Sequence, residues 1–176
     1  MSEKGGDVHP LYHVSEEPAI AAFHPRESPL TAPGAGPIVW AIDEAHLPNY
    51  LLPRDCPRVT FGPSTATTRE DLERFGVGDG RVVVIEADWL RRVCSCSLHL
   101  YQLPLAQFRL FDETAGYWVT TEAVEPTHVN EVSDLPRAIA ERGGELRVVH
   151  RLWSLHAAVA KSTLAFSMIR MRNALK

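Results

Sequence analysis

At 176 residues, with 45% hydrophobic and 23% charged residues, the chain has an ordinary globular composition and can bury a core without disulfides or metal. No apolar run reaches the length of a membrane span, the start of the chain lacks the apolar stretch of a signal peptide, and three cysteines make no disulfide framework, so a cytoplasmic protein without a membrane partner is expected. The net charge of −4 is uneven: residues 1–136 sum to −10 and residues 137–176 to +6.

A basic end on an acidic body suits either phosphate contact or docking on the body itself. Docking is the preferred reading, because no Lys/Arg cluster has the density of a nucleic-acid site, and nucleic acid is the weaker partner.

Residues 1–9 are polar and expected to be disordered; residues 10–176 are read as a single domain. The first strand-like run is Leu11-Tyr12-His13-Val14-Ser15. Ser28 to Pro37 is a Pro/Gly/Ala loop, placed to serve as a flap over a site. The second run, Pro37 to Asp43, contains Trp40, and Asp43 can cap a short helix toward Tyr50 that Pro48 interrupts. Arg58 to Phe61 reads as a strand. Thr68 caps a helix through Phe75, and Gly76, Gly78 and Gly80 end it. Arg81 to Glu86 is a β-branched run expected to be a buried strand.

Ala87 to Val93 reads as a short helix. Leu98 to Leu103 and Gln107 to Asp112 alternate as neighbouring antiparallel strands would, and Gly116 to Glu122 continues the meander. Ser133 or Asp134 caps a helix through Arg142 that Gly143-Gly144 stop. Leu146 to His150 is a further strand. From about Leu152 to Asn173, apolar residues at three- and four-residue steps predict one long buried helix. The fold class is therefore α+β, with a mostly antiparallel sheet, short helices and that long C-terminal helix.

Several catalytic templates are absent: no dinucleotide fingerprint, phosphate loop, nucleophile elbow or zinc-protease motif occurs. Cys94-Ser95-Cys96 with His99 and Cys56 has C-x-C where structural zinc sites use C-x-x-C, so half-buried thiols are the better reading and no metal is expected. A histidine, an aromatic residue and a glutamate in order on strand edges do form a set able to bind a dinucleotide. Glu122 can stabilise a cation-like sugar, with Glu125 as its rival. His13 can hold a ribose hydroxyl, Trp40 and Tyr50 offer stacking surfaces, and Arg26, Arg54 or Arg58 can grip a pyrophosphate. Each also has a plainer reading: a structural histidine, core tryptophans, a solvated glutamate, surface ion pairs.

These residues resemble the ADP-ribosyltransferase-like fold, in its histidine–aromatic–glutamate branch. Tyr12-His13 is similar to the first motif, Trp40 to Asp43 with Asn49-Tyr50 to the second, and Glu122 to the third. Two positions depart from the pattern: Val14 follows the histidine where that branch has glycine, and Trp40 replaces the usual tyrosine. The chain also resembles, through LYHVSEEP, VWAIDEAHLPNYLLPRDCPRVTF and STLAFSMIRMRNA, an uncharacterised bacterial family known as a domain of unknown function. The resemblance implies NAD or a related nucleotide as ligand and an unidentified acceptor. The implied activity is ADP-ribosyl transfer or NAD glycohydrolysis, with a binding-only module as the alternative.

Overall fold

A computed structural model describes residues 10–28 and 36–176. The expected disordered start, and most of the Ser28–Pro37 flap, lie outside the described residues. The chain divides into two compact units, one formed by Met1–Leu47 with His99–Glu131 and the other by Pro48–Leu98 with Val132–Lys176.

The first unit is built on a six-stranded sheet. Its strands are β1 (Leu11–Ser15), β2 (Val39–Asp43), β5 (Leu98–Leu103), β6 (Arg109–Asp112), β7 (Tyr117–Thr120) and β8 (His128–Val132), in the order β6-β7-β2-β1-β5-β8. The β1–β2, β1–β5, β2–β7 and β6–β7 pairs are antiparallel. Alternation along the strands sends Leu11, Val39, Ala41, Tyr101 and Leu103 to one face, where they pack with Phe23, Phe108 and Val124. The strands expected over Leu98–Leu103 and Gln107–Asp112 both form, but they are not neighbours: β6 pairs with β7 at the sheet edge.

The second unit carries a four-stranded sheet in the order β10-β3-β4-β9, from β3 (Arg58–Gly62), β4 (Arg81–Glu86), β9 (Gly144–Val149) and β10 (Ala165–Ile169). β3 is antiparallel to β4 and β10, and β4 is parallel to β9. Val82 to Glu86 are all buried, as a central strand requires. The helices α1 (Arg69–Phe75), α2 (Ala87–Ser95), α3 (Leu135–Glu141) and α4 (Trp153–Val159) are all short. Thr68 caps α1 through the Asp71 amide and Gly76 ends it at φ +60°. Asp134 caps α3 through the Arg137 amide.

The long C-terminal helix does not form. α4 ends at Val159, a turn follows, and β10 runs from Ala165 to Ile169 beside β3. Serine and threonine supply the break, since both compete for backbone bonds. Ser162 donates to the Val159 carbonyl at 2.7 Å, and the Thr163 amide and hydroxyl both donate to Asp71 Oδ2 at 2.7 Å. Those bonds hold the Asp71 carboxyl below its ordinary range, the Thr163 hydroxyl contributing most. Beyond the turn, Phe166 lies directly opposite Phe61, a cross-strand aromatic pair that stabilises a sheet. The five residues Ala165–Ile169 show no strict alternation of their own, and pairing with β3 decides that they form a strand.

Phe61 is 1% exposed and Phe166 39% exposed. Phe61→Ala is therefore expected to cost about 3–5 kcal/mol and Phe166→Ala about 1 kcal/mol. Chemical denaturation of both variants checks this, and a buried-helix arrangement would make the two losses equal.

Candidate functional site

β1 lies inside the six-stranded sheet, between β2 and β5, and presents His13 on the face that carries the core. Its ring packs against Phe23 at a centroid distance of 4.5 Å, and its Nδ1 donates to the Trp40 carbonyl at 3.2 Å. His13 stands opposite Tyr101 on β5. The Tyr101 hydroxyl donates to the Glu17 carbonyl at 2.6 Å and accepts from the Ile20 amide at 3.1 Å. That pair of bonds holds the segment after β1 across the sheet, where Phe23 reaches the core.

Phe23 in turn exchanges two backbone bonds with Val124, at 2.8 and 2.9 Å. Glu122 is two residues before Val124, is exposed, and its amide donates to the Thr120 hydroxyl at 3.2 Å. Arg26 forms a matching two-bond bridge with Ile38, at 2.9 and 3.0 Å, and its residue is exposed. Ile38 precedes Val39, which is paired with Thr120. The Phe23–Val124 and Arg26–Ile38 backbone bridges thus tie the segments that carry Arg26 and Glu122 to the unit whose sheet carries His13. Glu125 is exposed on the far side of Val124 in sequence.

Trp40 does not join them as a stacking surface. Leu11 pairs with Asp43 and Tyr12 with Ile42, so continuing that register sets Val14, not His13, opposite Trp40. The His13 and Trp40 side chains therefore leave opposite faces of the sheet. The indole packs edge-on against Phe111 at 5.1 Å and Tyr117 at 5.2 Å. Only the Trp40 carbonyl meets His13.

Tyr50 belongs to the second unit, as the last residue of a 3-10 helix over Glu44–Tyr50. The Arg58 guanidinium lies over its ring at 5.8 Å. Arg58 is itself 3% exposed and donates to the carbonyls of Asn49, Pro53 and Cys56. It closes the Pro53–Cys56 turn and is no pyrophosphate grip. Arg170 follows β10 and Arg172 lies in a single 3-10 turn over Met171–Asn173, so the two do not line a long helix, and Arg170 Nε donates to the Arg54 carbonyl at 3.3 Å.

The expected cap by Asp43 forms, but two polar arrangements, its bond to the His46 ring and the buried Trp118 indole, escaped the reading of the sequence. Asp43 Oδ1 accepts from both the amide and Nδ1 of His46, at 2.9 and 2.7 Å. A carboxylate only accepts, so Nδ1 is the donor in this contact. The ring rests against Gly116, whose φ is +68° and where any Cβ would fall 2.2 Å from His46 Nδ1. The spacing Asp43-x-x-His46 after a strand was a signal for this cap. The second is the Trp118 indole N–H, which is buried with no partner among the described residues.

Among the described residues, no group of three or more His, Cys, Asp or Glu side chains is arranged to hold a metal ion, and no helix is long and apolar enough to cross a membrane. Cys94 is exposed, Cys96 half-buried and Cys56 buried. Burial pushes the Cys56 thiol up to about 12 from its ordinary 9.0; Arg58 and Arg92 oppose the shift, and Glu86 adds to it. A thiol held neutral in the folded state favours unfolding once the unfolded chain can ionise, so stability should fall as pH rises from about 9 toward 12. Cys56→Ala should flatten that part of the stability curve. Thermal midpoints of both proteins across this range check it, and identical slopes would contradict it.

The model of one family, described as a family of unknown function (DUF6886), matches residues 12–174. The chain belongs to that family. Comparison with curated proteins found no match. Comparison with solved structures found none either.

Proposed function

We propose that this chain, as a member of the DUF6886 family, binds NAD or a related ADP-ribosyl nucleotide on the His13 face of its first unit and cleaves the nicotinamide–ribose bond there. The observation that carries the reading is the link from His13 through Phe23 to Val124, which brings the Glu122 segment to the histidine's side of the sheet. The His13 imidazole is oriented by the Trp40 carbonyl and is suited to a ribose hydroxyl. Arg26 is one of three Lys or Arg residues in the sequence of that unit, against twelve acidic ones. Such a balance favours a cationic nicotinamide ring and leaves Arg26 to meet the pyrophosphate.

In this reading the ribose–nitrogen bond breaks with its electron pair going to nicotinamide. Glu122 stabilises the sugar cation, and water or an acceptor hydroxyl adds with loss of its proton. ADP-ribosyl transfer and hydrolysis differ only in that last partner.

Two observations favour a binding-only module as the second reading. Val14 stands where the resembled enzymes have glycine, and the Trp40 ring leaves the opposite face from His13. The two readings separate on one incubation with NAD followed by chromatography of released nicotinamide. The catalytic reading expects release, reduced about 100-fold or more in Glu122→Gln, with NAD affinity changed by less than about threefold. Release that is unchanged in Glu122→Gln removes Glu122 from the mechanism. Binding without release selects the module, and no binding at millimolar NAD ends both readings.

A further inference from the structure

β6 is an edge strand: β7 pairs with one side of it, and no described strand pairs with the other. Arg109, Leu110, Phe111 and Asp112 are all exposed, Leu110 at 45% and Phe111 at 41%. An apolar edge invites pairing with another chain; the short length, end charges and bulge of β6 restrict that pairing to a partner matched to its charges.

The strand also carries a β-bulge with a particular consequence. Arg109 pairs with Val119 and Leu110 with Trp118, but Asp112 pairs with Tyr117, so the register shifts at Phe111. Val119 and Tyr117 pair with Trp40 and Ile42, which share one face of β2. The bulge therefore turns Arg109 and Asp112 to the same face. In a regular strand a three-residue separation would put them on opposite faces.

We infer that β6 is a self-association edge whose partner is a second copy of this chain. Two copies of β6 set antiparallel about a two-fold axis normal to the sheet place Arg109 of each beside Asp112 of the other, on one face. Leu110 and Phe111 then lie near the axis, where the second copy covers them. Asp112 Oδ1 accepts from the Ala115 amide at 3.1 Å, which fixes the carboxylate in the turn after the strand. Because the bulge interrupts the backbone ladder, side chains carry the contact. A four-residue edge buries less than the ~800 Å² per partner of a standard interface, so the dimer is weak and sensitive to salt. This inference is independent of the nucleotide reading.

Sedimentation equilibrium of the full chain over a wide concentration range, at low and high salt, tests it. The wild type should show a monomer–dimer equilibrium that weakens with salt. Arg109→Asp and Asp112→Arg should each weaken dimerisation about tenfold or more, because each places like charges across the axis. The Arg109→Asp/Asp112→Arg double variant should recover wild-type affinity within about threefold, a recovery that misfolding or simple loss of charge does not produce. A wild type that stays monomeric at every soluble concentration overturns the proposal. So does a dimer indifferent to the single reversals, or single defects that the double reversal leaves in place.

Discussion

The Tyr101 hydroxyl gives to the Glu17 carbonyl and takes from the Ile20 amide, and it does so from a residue with no exposed surface. A phenol inside a core must find partners, and these two come from the segment that leaves β1. Tying that segment down allows Ala19 its positive φ of 62° and carries Phe23 over the sheet. Phe23 then supplies both the edge-on ring contact with Tyr101 at 5.3 Å and the bridge to Val124. His13, Phe23 and the approach to Glu122 are arranged around this one hydroxyl. Without it the segment would lose both of its bonds to β5, and the ring on which the histidine packs would be less firmly placed.

The second unit rests on a buried charge used in a comparable way. Glu86, at the end of β4, has no exposed surface and accepts from the Leu152 amide at 3.1 Å and the Leu175 amide at 3.0 and 3.2 Å. Hydrogen bonds from backbone amides are what let a carboxylate stay buried. The same bonds tie the start of α4 and the end of the chain to the central strand. Arg147 acts alongside it on β9, donating to the Phe75 and Gly76 carbonyls at 2.6 Å and so closing the C-terminus of α1. Its bond to Glu145 raises its pKa and lowers that of the glutamate.

Local signals were readable along the chain wherever one residue type has one dominant use. The Thr68 and Asp134 caps, the αL stop at Gly76 and the β-branched run of β4 all formed as expected. β10 was misread because its five residues carry no clear strand alternation, and the decision lay with its pairing to β3, distant in sequence. β8 carries no apolar face at all, being exposed along nearly its whole length. Within the candidate site, the residue types were visible but the register was not. A one-residue difference in pairing decides whether His13 and Trp40 share a face, and nothing in either short run announces it. Arg58 likewise reads as a surface cation until the turn it closes is seen.

An ADP-ribosyl nucleotide on the His13 face, as proposed, would sit on the residues that Tyr101 and Phe23 hold in place. The most direct measurement is an amide-resolved NMR titration of the full chain with ADP-ribose. Binding on that face gives saturable shifts at the amides of His13, Phe23, Arg26, Glu122 and Val124, with the Trp40 indole N–H and the Phe111 and Tyr117 amides little affected. Shifts confined to those three aromatic residues or to the second unit, or no saturable shift at millimolar ligand, would contradict it.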